Sequence, residues 1–192
     1  MLTLIIGLLL FFVPHSVAIV APAWRERRLQ AMGPGAWKGL YSVLSGVGLV
    51  VMLIGYGQAR LTAPIWYVPP AALRYGTFLL MLPVFPLLIA AYLPGRLQAR
   101  ARHPMLAAVK FWATAHLLAI GTASDVLLFG SFLVWAIVDR VSVKRRVSGP
   151  TPPRVAVPHA DLVAIVGGLA LYALFIFRLH VLLIGVSPLP GR

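Results

Sequence analysis

Long apolar blocks separated by short polar runs dominate this chain. Six blocks approach the about 20 residues needed to cross a hydrocarbon core, with roughly 17 as the lower limit. They are Leu2–Ala23, Trp37–Tyr56, Leu73–Tyr92, Pro104–Ile120, Ala123–Val138 and Asp161–Ile184. The fourth and fifth are short and joined through Gly121 and Thr122, which predicts a hairpin. The pattern predicts an all-α polytopic membrane bundle of about six transmembrane helices, organised as one domain over residues 1–192. Ser42 and Gly46 are spaced four apart, as are Ala160, Ala164 and Gly168. Such small-residue faces let membrane helices approach closely. The Pro-rich stretch over residues 148–158 reads as an extended connector.

Composition supports this class. Of 192 residues, 60% are hydrophobic and 11% charged, with mean hydropathy +0.92, leaving too little polar surface to clothe a soluble domain. The 17 Lys and Arg outnumber the four acids, for a net charge of +13. They fall in short runs between apolar blocks, so they read as topology signals and anchors for anionic lipid, and nucleic acid is not expected as a partner. Arg25, Arg27, Arg28 and Lys38 mark the first loop. Arg96, Arg100 and Arg102 mark the third, and Arg140, Lys144, Arg145, Arg146 and Arg154 the fifth. The positive-inside rule then puts both termini outside, with the chain in a bacterial inner membrane. The first block lacks the basic start of a signal peptide and is expected to persist as a span. With no cysteine, disulfides, thiolate metal sites, iron–sulfur clusters and thioether-attached haem are excluded.

Ionisable residues inside a membrane are costly, so each is a candidate site. No acid is expected deep in a span, which argues against a carboxylate proton relay. Histidines remain. His15 lies about 20 Å down the first helix and His116 about 18 Å up the fourth, so both sit within a core roughly 30 Å thick, with levels differing by about 8 Å. Pro14 is expected to bend the first helix and open room beside His15. His103 precedes Pro104 at a helix start and reads as interfacial, His159 lies in the Pro-rich loop, and His180 is expected to snorkel to the head groups.

Two readings of His15 and His116 stand open. Each imidazole can simply hydrogen-bond a neighbouring helix, the reading that residue pattern alone favours. Alternatively the two are the axial ligands of a b-type haem held between facing helices. Phe11 and Phe12 before His15, and Trp112 one turn before His116, would wall the plate. His103 is the other partner that spacing permits for His15; burial favours His116.

The stretches "GLLLFFVPHS", "APAWRERR", "WKGLYSVLSGVGLVVMLIGYG", "RARHPMLAAVKFWATAHLLAIG", "LLFGSFLVWAIVDR" and "LHVLLIGVSP", in that order, resemble the NnrU family. Ile120-Gly121 departs from the Asn-Gly frequent there. The resemblance implies a link to nitrite and nitric oxide reduction, with denitrification enzymes as partners. The family is also similar to plant zeta-carotene isomerase, a membrane enzyme holding haem b between two histidines. Those positions correspond to His15 and His116, so haem b is the expected cofactor. Three functions follow as expectations: a membrane haem protein of nitric oxide or nitrite metabolism, a haem-dependent cis-trans isomerase, or a haem-free assembly partner of nitrite or nitric oxide reductases.

Overall fold

The computed structural model describes residues 1–146 and 157–189. Arg154 and most of the Pro-rich connector lie outside the described residues. Helices α1 (Leu2–Val20), α2 (Pro22–Ala59), α3 (Leu73–Met81), α4 (Val84–Ala90), α5 (Arg96–Ala101), α6 (Pro104–Ala119), α7 (Ala123–Arg146), α8 (Ala160–Leu174) and α9 (His180–Ile184) follow in order. A π-helical segment, Phe175–Leu179, joins the last two. Five stretches are long and apolar enough to cross a membrane: α1, α2, Leu73–Ala90, α7 and Ala160–Ile184. The chain is therefore a multi-pass, all-helical membrane protein. At 16 residues α6 is shorter, and it packs among α3, α4 and α7. Exposed apolar side chains such as Val13, Val50 and Val166, each more than half accessible, face outward where lipid replaces water.

Several expected boundaries shift for local reasons. The first basic loop is largely helical: Pro22 starts α2, and Glu26 accepts a bond from Gln30 one turn on (3.2 Å). The break comes at Gly33, whose φ of +78° before Pro34 suits only glycine. The third span divides at Leu82–Pro83. Pro83 has no N–H, and the Leu82 N–H turns to the Leu79 carbonyl (3.3 Å), so the Phe78 carbonyl loses its helical donor. The Tyr172 hydroxyl of α8 supplies the replacement, donating to Phe78 at 2.7 Å. Removing that hydroxyl in Tyr172→Phe is expected to cost about 1 kcal/mol, seen as a lowered midpoint of unfolding in detergent.

The two predicted small-residue faces meet different fates. Ala160, Ala164 and Gly168 are buried as expected, and Gly168 lies against the Pro86 backbone of α4. Ser42 and Gly46 are exposed, and nothing lies near the Gly46 Cβ position. The packing face of α2 is instead Gly48, Met52, Gly55 and Ala59, all buried. Their offsets of four, three and four residues follow one side of a helix. A Cβ at Gly55 would meet the Leu4 backbone, one at Gly7 the Met52 backbone, and one at Gly48 the Phe11 backbone. These pairings make α1 and α2 antiparallel and set them in backbone contact.

Leu4, Leu8, Met52, Ala113, Leu128 and Phe129 form the main core, joining α1, α2, α6 and α7. A second cluster centres on Val84, Leu87 and Ala108. Asp161 lies in the first turn of α8, but its carboxylate accepts the Arg96 and Leu97 N–H groups (3.1 and 2.8 Å), capping α5 across the connection.

Candidate functional site: two anchored imidazoles and a buried carboxylate

His15 and His116 share one local geometry. The His15 Nδ1 donates to the Phe11 carbonyl at 2.6 Å, and the His116 Nδ1 to the Trp112 carbonyl at 2.8 Å, each four residues back. A carbonyl only accepts, so Nδ1 carries the proton in both rings; in the neutral ring Nε2 then keeps its lone pair. Each ring also lies flat on a phenylalanine: His15 on Phe11 (4.1 Å between centroids, 21° between planes) and His116 on Phe129 (4.4 Å, 17°). The partners are thus the residues' own helices for Nδ1 and aromatic faces for the rings, not hydrogen bonds to a neighbouring helix. This orientation, with the outer nitrogen held and the inner one free, is what a metal-ligating histidine requires.

The surroundings differ. Tyr41 of α2 lies 5.0 Å from His15 and Trp135 of α7 meets it edge-on at 5.7 Å. The expected opening beside Pro14 is therefore occupied: α1 runs unbroken through Pro14, and Phe11, Tyr41 and Trp135 surround the imidazole. Nearby, the Trp135 Nε1–H and the Ser45 hydroxyl are buried without a hydrogen-bond partner among the described residues. Trp112 lies 5.4 Å from His116 and edge-on to Phe129 and Phe132.

Phe129 and Trp135, which flank the two imidazoles, are six residues apart on α7, or about 9 Å along its axis. The two histidines are therefore offset along α7 by about 9 Å. They are not in ring contact. A relay of rings separates them: Phe11 lies 5.4 Å from Phe132, and Phe132 lies 5.3 Å from Trp112. For a b-type haem, the donor chemistry and apolar walls fit an axial ligand at each imidazole. The pair closes on one plate only if Phe132 and Trp112 turn out of the space between them.

His103 caps the start of α6 by its backbone position, without a side-chain cap bond. Burial, then Arg140 and Arg102, push its pKa below the usual value, with Asp139 opposing, so it is neutral at pH 7. The His180 Nδ1 donates to the Val186 carbonyl (2.6 Å) and its ring stands edge-on to Phe175. His159 takes a left-handed conformation before α8.

One buried ionisable group escaped the reading of the spans. Asp125 is only 3% exposed, in the first turn of α7. Its carboxylate accepts from the Tyr56 hydroxyl (2.7 Å), the Thr122 hydroxyl (2.6 Å) and the Thr122 N–H (2.9 Å). Thr122 and Asp125 thus form most of a capping box, with a long return contact from Asp125 N–H to the Thr122 hydroxyl (3.4 Å). The T-x-x-D spacing was a visible signal for the box; the Tyr56 bond, 69 residues away, was not. The turn before it is sealed by the loop after α2. Tyr67 donates to the Leu117 and Ile120 carbonyls, while Gly121 accepts from the Trp66 and Tyr67 N–H groups. A Cβ at Gly121 would strike Tyr67, so glycine is needed there whatever stands at position 120.

No curated protein and no solved structure matches this chain. The family model described as NnrU protein matches residues 3–188, nearly the whole length, and this match places the chain in the NnrU family.

Proposed function

We propose that this chain is a bacterial inner-membrane protein that binds haem b through His15 and His116 and serves nitrite or nitric oxide metabolism. The observation that carries the haem reading is the shared anchoring of the two rings: Nδ1–H bonded to a carbonyl one turn back, Nε2 free, one face stacked on phenylalanine. Anchoring of this kind lowers the ordering needed on ligation, because tautomer and ring plane are already set. Phe11, Phe129 and Trp112 pack against the two imidazoles and screen them from water. A haem held there would supply an iron centre that changes redox state and takes small ligands such as nitric oxide. The metabolic setting, and nitrite or nitric oxide reductases as partners, rest on the family resemblance.

Protein purified in detergent from haem-replete cells tests this by its oxidised and reduced absorption spectra. A sharp low-spin b-type spectrum is expected, lost in His15→Ala and in His116→Ala and kept in His180→Ala. A colourless, stably folded protein would overturn the haem reading. Loss in only one of the two variants would overturn the pairing. The packed Phe132 and Trp112 rings favour a second reading, a haem-free membrane partner of the reductases, for which co-purification with those enzymes by a colourless protein is the expected result. An isomerase activity rests on the resemblance alone, and conversion of zeta-carotene by the reduced protein tests it.

A further inference from the structure

Two hollows of about 470 Å³ each lie end to end along the seam between α1 and α7. They share Ile19 and Val138. The upper one is bounded by Gly130, Val134 and Val20 and is almost wholly apolar; the lower one ends at Arg145 and Arg146. Together they form one groove with an apolar shaft and a cationic foot. Its length matches one leaflet. From Gly130 to Asp139, where α7 turns polar, is about 14 Å of helix. Half of a hydrocarbon core is about 15 Å. Arg145 stands a further turn and a half beyond, at head-group depth.

We propose that this groove binds one anionic glycerophospholipid, with an acyl chain along the shaft and the head-group phosphate at Arg145. The charge balance selects the head group. Asp139, the carboxylate in the C-terminal half of α7, is paired with Arg146 at 2.8 Å. Arg145, which lines the lower hollow, has no ion-pair partner among the described residues, so the foot carries a surplus positive charge that a net-neutral lipid leaves uncompensated. Gly130 makes the shaft. Its Cβ position meets only Val126 Cγ1, at 4.0 Å, so a longer side chain there would project into the groove without disturbing the helix contacts.

The binding is independent of haem and is read by native mass spectrometry of the delipidated full chain. The protein is titrated with phosphatidylglycerol or phosphatidylcholine carrying identical acyl chains. One retained phosphatidylglycerol per chain is expected, held about tenfold or more tightly than phosphatidylcholine. Gly130→Leu should remove that retention by filling the shaft, and Arg145→Gln should remove the head-group preference. Leucine in place of glycine raises helix propensity, so loss of fold does not explain a loss of lipid; unchanged melting checks this. Equal retention of the two lipids, or full retention in both variants, would overturn the proposal. So would a fall from dimer to monomer mass in Gly130→Leu, which would assign the groove to a second copy of the chain.

Discussion

Gly55→Ala is expected to destabilise the protein by about 2 kcal/mol, the order found when well-packed contacts are overfilled, and Gly55→Leu by more. The added methyl group would meet the main chain of Leu4, not the end of a side chain that can rotate away. The helices must separate, and separation opens the whole seam from Leu4 to Phe11, including the Gly7 and Gly48 contacts. In lipid there is no hydrophobic drive to restore it, because association rests on close van der Waals packing. Gly46 provides the control. It lies on the same helix but is exposed and uncontacted, so Gly46→Ala should stabilise by about 1 kcal/mol through helix propensity alone. The midpoints of thermal unfolding in one detergent check the pair. Equal midpoints for Gly46→Ala and Gly55→Ala would refute the close seam.

Asp125→Ala is expected to cost about 3 kcal/mol. It leaves the Tyr56 and Thr122 hydroxyls and the Thr122 N–H without their acceptor, and each buried donor so orphaned costs about 1–3 kcal/mol before relaxation. It also strips the cap from α7, worth about 1 kcal/mol on its own. Tyr56→Phe should cost about 1 kcal/mol, since it removes one donor and leaves the capping box intact. Because the two residues share a bond, Tyr56→Phe should add less in the Asp125→Ala background than in the natural chain. Full additivity of the two losses would show that the Tyr56–Asp125 bond carries no stability.

The candidate site was legible in part. The offset between His15 and His116 along their helices, and the contact of Trp112 with His116, follow from counting residues. That each imidazole would bond its own preceding turn was not anticipated, although the acceptor is always four residues back. The rings of Phe132 and Trp112 between them could not be read, because which face of α7 meets α1 and α6 is set by packing. The bond from His180 to the Val186 carbonyl could not be read for a similar reason, since the π-helical turn before it sets the ring's direction.

The chain's apolar block lengths, its basic runs and its prolines were sufficient by themselves for the membrane class, the helical hairpin at Gly121–Thr122 and the buried face of α8, since each depends on residues near one another in sequence. Tertiary structure decided that Gly48 and Gly55, not Gly46, carry the α1–α2 seam. It also paired Asp125 with Tyr56, and Tyr172 with the Phe78 carbonyl that the Leu82 N–H leaves free. Those choices join residues 69 and 94 positions apart in the latter two cases. Several faces of an apolar helix are equally greasy, and only the shape of the neighbouring helix selects among them.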